Sequence, residues 1–319
     1  MFKSKTKYTW EGWESSGEEA WVFAVSHPRE LMGVHAILID KELKESEKIE
    51  QCLYSPRVST TSTPFGLTSE ASSWGVCVTD KRFIISQNRH VKDIEPVVTS
   101  IDFDDILYFH IGNVLLLSWF SITYVKDGKL NSVPIIFASN GKYHFEKALR
   151  AYKKYRNAIN ADEFSINTFW VGSFLYKIRD SIHRNHLKTL ISTNEKCIST
   201  FSCRYLFGKV VKKKLFSRKE KVFYPTSKAT VLFTNKSIMI AYDSLEFSIG
   251  SSVDVLMIPL DRVAKVFLSN ENIENGMTHK LRVSFLTEVK DNTLDISLIS
   301  LDENAKISIN NLQSIFNKK

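Results

Sequence analysis

The feature that most constrains the fold of this 319-residue chain is an internal repeat. Four segments recur in the same order: 46–49 at 194–197, 76–85 at 231–240, 101–106 at 258–263, and 120–124 at 281–285. The spacing between the copies grows from 148 to 161 positions, and it grows only between apolar segments. Insertions accumulate in surface loops, so the pattern predicts one folding module that is built twice.

Each copy has the same predicted order of elements. The first copy begins with a helix that has Pro28 in its first turn and Leu31, Val34 and Leu38 at helical spacing. The corresponding helix of the second copy carries six apolar residues: Leu175, Ile178, Ile182, Leu187, Leu190 and Ile191. Short β-branched and aromatic runs follow, and residues 126–129 (Lys-Asp-Gly-Lys) are typical of a hairpin turn between two of them.

An amphipathic helix is expected to close each copy. In the first copy Asn140 is the expected N-cap, and the two sides are apolar (Phe145, Ala148, Leu149, Tyr152, Ile159) and polar (Glu146, Lys147, Arg150, Lys153). In the second copy Asp302 is the expected N-cap of a helix with Ala305, Ile309, Leu312 and Phe316 on one side. The preceding strands, as a curled antiparallel sheet, can bury these apolar sides. The predicted fold class is therefore α+β, mainly β.

This order divides the chain into an N-terminal arm (1–27), a first module (28–158), a linker (159–174) and a second module (175–319). The arm is rich in aromatic residues, namely Tyr8, Trp10, Trp13, Trp21 and Phe23. Such an arm packs on a sheet or covers a sheet edge, and the alternative is a docking segment or an interfacial anchor.

The net charge of +8 is concentrated in one part of the chain. From Lys177 to Lys236 there are 15 basic and 3 acidic residues, and seven of the basic residues fall within 209–221. The first copy has instead a Ser/Thr-rich stretch at 59–73 without Lys or Arg, so we expect an extended basic loop in the second copy alone. A positive surface of this kind attracts anionic lipid, nucleic acid or an acidic protein, and the alternative is a solvated loop.

The sequence favours an intracellular location. Its four cysteines, Cys52, Cys77, Cys197 and Cys203, form no C-x-x-C pair, and we expect them to be reduced. The first residues lack the apolar core of a secretory signal. The longest apolar run, 114–125, falls short of the ~20 residues of a transmembrane helix. We expect a cytoplasmic protein that associates peripherally with the inner face of the membrane.

No catalytic, cofactor or metal site is predicted. The motifs G-x-S-x-G, G-x-x-x-x-G-K-[ST] and G-x-G-x-x-G are absent. Asp102, Asp104 and Asp105 form an acidic cluster that lacks the other ligands of a calcium loop. His183 and His186 share a helix side but have no further ligand nearby in sequence, so we interpret them as a solvated pair and the remaining histidines as isolated. These absences favour a protein that is not an enzyme.

The repeated segments resemble the bacterial pleckstrin-homology-like domains, which share the shape of the pleckstrin-homology and GRAM superfold. The resemblance rests on 76–86 (VCVTDKRFIIS), on 101–106 (IDFDDI), and on the hairpin and amphipathic helix that follow. The second copy matches less sharply, and together the copies cover residues 28–156 and 175–317. The family implies two tandem units, each a bent antiparallel sheet or partly open barrel capped by its C-terminal helix. It also implies binding or assembly rather than catalysis.

The resemblance also implies a site. In eukaryotic pleckstrin-homology domains, basic residues around the first hairpin hold phosphoinositides. The residues that match by position are Lys209, Lys212, Lys213, Lys214, Arg218, Lys219 and Lys221. The spacing departs from the family signature, because Phe216 stands two positions before Arg218 where a basic residue is expected. What remains is an attraction to anionic headgroups, at roughly 1 kcal/mol per basic residue near the surface.

We therefore expect a binding or adaptor protein whose second unit presents a basic hairpin to an anionic membrane surface or to an acidic partner protein. A nucleic-acid-binding protein is the alternative, because four aromatic residues are interleaved with the basic ones: Phe207, Phe216, Phe223 and Tyr224. Such a mixture suits base stacking combined with phosphate contacts. A third hypothesis is an assembly scaffold, in which copies of the chain associate through sheet edges or the aromatic arm.

Overall fold

The structure is a computed structural model. It describes residues 7–10, 21–61, 68–70, 72–89, 93–114, 117–159, 169–192, 194–207, 210–213, 220–244, 252–273, 276–287 and 292–317. The chain forms two compact units: the first is Met1–Ile106, Ile111–Tyr124 and Asn131–Tyr155, and the second is Leu107–His110, Val125–Leu130 and Arg156–Lys319. The fold is α+β, mainly β, with antiparallel sheets, as predicted. The predicted limits of the arm, modules and linker stay predictions.

In the first half of the chain, the described residues form eleven strands and two α-helices. The strands are β1 (Lys7–Trp10), β2 (Phe23–Val25), β3 (Ile49–Ser55), β4 (Val58–Thr61), β5 (Thr68–Glu70), β6 (Ser73–Thr79), β7 (Arg82–Asn88), β8 (Val97–Asp102), β9 (Ile106–Val114), β10 (Leu117–Lys126) and β11 (Lys129–Ala138). The helices are α1 (Val34–Glu42) and α2 (Lys142–Lys154). Neighbouring strands follow the orders β2-β3-β6-β7-β8, β1-β4-β5 and β9-β10-β11.

The second unit repeats this order of elements. Its strands are β12 (Phe169–Trp170), β13 (Lys196–Leu206), β14 (Val210–Lys213), β15 (Glu220–Phe223), β16 (Thr226–Thr234), β17 (Ser237–Asp243), β18 (Val253–Pro259), β19 (Val263–Ile273), β20 (Gly276–Phe285) and β21 (Thr293–Ile299). Its helices are α3 (Val171–Leu175), α4 (Ser181–Leu190) and α5 (Glu303–Asn317). Neighbouring strands follow the order β18-β17-β16-β13-β21-β20-β19, while β14 pairs only with β15 among the described strands.

The helix that opens each copy is shorter than the sequence predicts. In the first copy, Pro28–Glu30 is a single 3₁₀ turn, and α1 begins only after Gly33. Gly33 has φ of +56°, a left-handed conformation that glycine adopts most readily, so it separates the turn from the helix. In the second copy, the predicted helix is divided into α3 and α4, and the Asp180 carboxylate caps α4 by accepting the N–H groups of Ile182 and His183.

The closing helix of the second copy packs as expected, whereas α2 differs from the prediction at its cap, on its polar side and at its end, since Ile159 lies beyond Lys154. The apolar side of α5 is fully buried, and the Asp302 carboxylate caps it by accepting the Ala305 N–H at 2.7 Å. In α2, however, the predicted cap Asn140 is replaced by Gly141. Two residues of its predicted polar side, Glu146 and Lys153, are buried, and Glu146 pairs with Lys142 one turn earlier. Burial of Glu146 therefore depends on an ion pair that amphipathic periodicity does not reveal.

The same hydrogen-bonded turn closes the central hairpin of each unit, and it is the clearest structural form of the repeat. Between β6 and β7, the Thr79 hydroxyl accepts the N–H groups of Lys81 and Arg82, each at 3.1 Å. The Asp80 carboxylate accepts the Lys48 N–H at 3.0 Å and so ties this turn to β3. The N–H groups of Lys81 and Arg82 are thereby satisfied by one short polar side chain, and the Asp80 N–H donates to the Lys48 carbonyl at 2.9 Å.

The second unit reproduces these contacts at matching positions. Between β16 and β17, the Thr234 hydroxyl accepts the N–H groups of Lys236 and Ser237, at 3.2 and 2.9 Å. The Asn235 side-chain oxygen accepts the Lys196 N–H at 2.9 Å. The repeated Thr-Asp/Asn-Lys sequence is therefore explained by one turn geometry.

A buried glutamate lies beside each of these turns. In the first unit, Glu47 forms a two-pronged ion pair with Arg82, at 2.8 and 3.0 Å, and both side chains are buried. In the second unit, Glu195 takes the same position, but Ser237 replaces the arginine. There the carboxylate accepts hydrogen bonds from the Ser237 and Thr234 hydroxyls and from the Ser192 N–H.

Replacing Arg82 by alanine should destabilise the first unit strongly, because the Glu47 charge would remain buried without its counterion. We expect a loss of about 3–5 kcal/mol in the free energy of unfolding, measured by chemical denaturation. Arg29→Ala is the matched control, since Arg29 pairs with Asp40 at the surface. It should change stability by less than about 1 kcal/mol. An equal effect of the two substitutions would contradict this role of Arg82.

A second ionic contact joins α2 to β3 within the first unit. Burial alone would raise the pKa of the Glu50 carboxyl, but hydrogen bonds from Tyr155, Lys154 and Lys48 outweigh it and lower the pKa from 4.5 to about 2. The folded state therefore favours the ionised carboxylate. This stabilisation is complete above pH 4.5 and disappears as the pH falls towards 2.

Glu50→Gln should remove this pH dependence. We expect the wild type to exceed the variant by roughly 1–2 kcal/mol at neutral pH, with the difference vanishing in acid. Urea unfolding of both proteins from neutral pH down to pH 2 measures it. A difference that stays constant over this range would show that the Glu50 charge is not the source of the stabilisation.

Candidate functional site

The predicted basic loop is a β-hairpin in the part that the structure describes. Strands β14 and β15 pair in antiparallel register, with Lys212 opposite Lys221 and Lys213 opposite Glu220. The backbone thus brings together three of the seven predicted site residues. The other four, Lys209, Lys214, Arg218 and Lys219, lie outside the described residues. The role of all seven stays a prediction.

The base of this hairpin is an aromatic cluster. The rings of Tyr205 and Tyr242 stack at 4.2 Å with 7° between their planes, and the Phe207 ring meets both of them edge-on. The Phe207 N–H donates to the Pro225 carbonyl at 3.1 Å and closes the base of the hairpin. Aromatic packing and a backbone hydrogen bond therefore fix where the hairpin leaves the sheet.

Cationic side chains continue from the hairpin onto the sheet. Arg204 on β13 is opposite Lys228 on β16, and both are exposed, whereas their neighbours Cys203 and Ala229 are buried. Neither side chain forms an ion pair within the described ranges. Because strand side chains alternate between faces, the two charges lie together on the outer face of the sheet.

The first unit also has a hairpin at this position, contrary to the expectation that only the second copy carries an extended loop. Strands β4 and β5 pair with each other, and β1 from the N-terminal arm adds to β4, with Trp10 opposite Val58. The extra residues of the second unit lie in the longer β13 and β16 rather than in the hairpin itself. The two hairpins therefore differ in sequence charge more than in length.

The arm is described only in part. Lys7–Trp10 covers one edge of the β4–β5 hairpin, which agrees with the interpretation of the arm as an edge cover. Trp21 is about half exposed, and Trp13 lies outside the described residues.

The interpretation of His183 as solvated is wrong. His183, in the first turn of α4, is fully buried between the helix and the sheet. Its Nδ1 lies 3.0 Å from the Thr230 hydroxyl, and its Nε2 lies 3.1 Å from the Asp243 carboxylate. Helical spacing alone does not reveal this contact, because both partners come from strands β16 and β17. His186, one turn later, is partly exposed.

The first unit carries an equivalent histidine. His35 on α1 is buried, and its two ring nitrogens lie 2.7 Å from the Ser86 hydroxyl and 2.9 Å from the Ser73 hydroxyl. His35 and His183 are 148 positions apart, the same spacing that relates Glu47 to Glu195. This shared spacing of 148 positions is visible in the sequence, and it identifies both histidines as part of the repeat.

A hydroxyl, an imidazole and a carboxylate in a row resemble a hydrolytic triad, but the geometry around His183 serves another purpose. Thr230 is only 1% exposed, so its hydroxyl cannot reach a substrate carbonyl without opening the helix–sheet contact. The arrangement instead satisfies three polar groups where α4 crosses β16 and β17. It is a clamp between helix and sheet.

The acidic cluster and the four cysteines are the remaining candidate groups. Asp102 and Asp104 are exposed near a 3₁₀ turn, and within the described residues no three His, Cys, Asp or Glu side chains come together to hold a metal ion. All four cysteines are buried free thiols. Burial raises the pKa of Cys203 to about 12, which keeps this thiol protonated and unreactive.

None of the helices in the described ranges has the length and apolar character needed to cross a lipid bilayer. Comparison of the chain with protein-family models yields no matching family, and comparison with curated proteins yields no match either.

Removing the His183 ring should destabilise the second unit. His183→Ala leaves a cavity and the buried Thr230 hydroxyl without its partner, so we expect a loss of about 2–4 kcal/mol in the free energy of unfolding. Asn185→Ala, at an exposed position of the same helix, is the control and should change stability by about 0.5 kcal/mol or less. Equal stability of the two variants in urea denaturation would argue against the clamp.

Proposed function

We propose that this protein is a non-enzymatic binding or adaptor protein of two tandem pleckstrin-homology-like units, and that the second unit binds an anionic membrane surface through its basic hairpin. Support for the units comes from the shared order of elements: a helix, a hairpin-bearing antiparallel sheet and a closing amphipathic helix. The T-[DN]-K turn and the buried glutamate recur in both at equivalent positions.

The observation that carries the membrane proposal is the concentration of cationic residues around one hairpin. Seven basic residues lie within 209–221, and Arg204 and Lys228 add two exposed charges at the base of the hairpin. The equivalent hairpin of the first unit has no Lys or Arg between Val58 and Glu70. Because only one of the two equivalent hairpins carries basic residues, we infer that their charge serves in binding.

A membrane surface fits better than a nucleic acid strand. Base stacking needs exposed aromatic faces, and one of the four interleaved rings, Phe207, already packs against Tyr205 and Tyr242. A diffuse cluster of cations, in contrast, suits headgroups that can rearrange around it. We propose a cytoplasmic protein that associates with the inner face of the membrane, and association between copies of the chain remains a separate proposal.

Sedimentation with vesicles tests this function. Lys212/Lys213/Lys214→Ala should weaken binding to vesicles of phosphatidylcholine and phosphatidylserine by about 100-fold, at roughly 1 kcal/mol per lysine. The matched control is Lys41/Lys81/Lys147→Ala, which removes three exposed lysines of the first unit and changes the net charge equally. The control should bind nearly as well as the wild type.

Several results would contradict the proposal. Equal loss in both triple variants would mean that net charge alone governs binding. Absence of wild-type binding to anionic vesicles would overturn the membrane role. If the same proteins instead bind a single-stranded oligonucleotide, with an affinity that falls steeply with salt and depends on the three hairpin lysines, the nucleic-acid alternative holds.

A further inference from the structure

The turn between α3 and α4 presents an exposed aromatic ring among cations. Tyr176 is 83% exposed, the highest value among the large apolar and aromatic side chains whose burial the structure describes. Lys177 and Arg179 beside it are also exposed, and Ile182 in the first turn of α4 is 43% exposed. An aromatic ring and an aliphatic side chain flanked by basic residues form the pattern that suits the interface of an anionic bilayer.

This turn is held rigidly by its buried neighbours. Phe174 and Ile178, on either side of Tyr176, are buried in the second unit. The Lys177 N–H donates to the Phe174 carbonyl at 2.9 Å, and the Ile178 N–H donates to the Leu175 carbonyl at 3.1 Å. Presenting Tyr176 to a surface therefore requires no ordering of the backbone, which lowers the entropic cost of binding.

The turn lies at the end of the sheet from which the basic hairpin projects. His183, in the first turn of α4, contacts Thr230, four residues from the start of β16. Lys228 is two residues before Thr230 on β16 and therefore lies on the same face of the sheet as Thr230. Lys228 is also opposite Arg204 at the base of the hairpin.

We infer that Tyr176 is an interfacial anchor, which enters the headgroup region of an anionic bilayer while Lys177 and Arg179 contact the phosphates around it. This inference rests on the proposed function, and it adds a contact that the hairpin alone does not make. The hairpin lysines supply a long-range attraction that salt screens, whereas burial of the Tyr176 ring is insensitive to salt. The two contributions can therefore be separated.

The fitting occupant is a bilayer rather than a folded partner protein. The single carboxylate of this turn, Asp180, is occupied in capping α4 through two backbone N–H groups. The remaining exposed charges of 176–179 are positive, so the turn complements a uniformly anionic surface. One protruding ring also suits a soft headgroup layer, since a protein partner would need a matching pocket.

The first test compares Tyr176→Ala, Tyr176→Trp and the control Tyr143→Ala in the full chain. Tyr143 is an exposed residue of α2 in the first unit. We expect Tyr176→Ala to weaken binding to phosphatidylcholine–phosphatidylserine vesicles about tenfold without changing the slope of affinity against salt. Tyr176→Trp should bind at least as tightly as the wild type, and Tyr143→Ala should bind like it.

The second test places an environment-sensitive nitrobenzoxadiazole label at position 176 through Tyr176→Cys, and at position 143 through Tyr143→Cys. The four native thiols are buried, so the label reacts at the introduced thiol. Fluorescence at position 176 should rise about twofold or more and shift to the blue on addition of anionic vesicles, whereas position 143 should not respond.

The outcomes separate this inference from the proposed function. If the wild type binds anionic vesicles but Tyr176→Ala binds equally well and the label at 176 does not respond, the anchor is overturned and the proposed function stands. Equal effects at positions 176 and 143 would also overturn the anchor. If the wild type does not bind anionic vesicles, the proposed function fails and the anchor fails with it.

Discussion

A buried carboxylate beside the central hairpin turn holds together the elements of each unit. In the first unit, Glu47 accepts the Lys44 N–H and pairs with Arg82, which also donates to the Glu42 carbonyl at the end of α1. Helix α1, strand β3 and the turn between β6 and β7 therefore meet at the Glu47 carboxylate, and a buried carboxylate without a counterion would be strongly destabilising. In the second unit, Glu195 lies at the same position with hydroxyl partners, so the carboxylate keeps its place while its donors differ.

This arrangement determines where the variable parts of each unit lie. The central hairpin turn and the end of the helix are fixed at one end of the sheet, and the hairpin projects from the other end. A buried histidine holds the helix against the strands between them. The hairpin can then change its charge without disturbing the core. In the first unit this hairpin is Ser/Thr-rich and pairs with β1, and in the second unit it is lysine-rich.

Local patterns in the sequence predicted the class of fold, the repeat, the Asp302 cap and the hairpin turn at Asp127 and Gly128, whose φ angles are both positive. These features depend on residues close together in the chain. The burial of His183 and Glu146 was not predicted, because it depends on tertiary packing. His183 finds its partners only when α4 lies on β16 and β17, and Glu146 is buried only when α2 packs within the first unit. The hairpin of the first unit was overlooked for a different reason: a Ser/Thr-rich stretch gives no alternation of apolar and polar residues. Comparison of His35 with His183 in the repeat would have identified the clamp.

The central claim is that the two hairpins share a backbone arrangement but that only the cationic one contacts a membrane. The Ser/Thr-rich hairpin of the first unit therefore serves as an internal control. Hydrogen–deuterium exchange of the full chain, with and without phosphatidylserine-containing vesicles, measures both hairpins in one experiment. We expect slower exchange in residues 209–224 and 176–182 when vesicles are present, and unchanged exchange in residues 58–70. Equal protection of both hairpins, or protection of neither while the protein is vesicle-bound, would contradict the account.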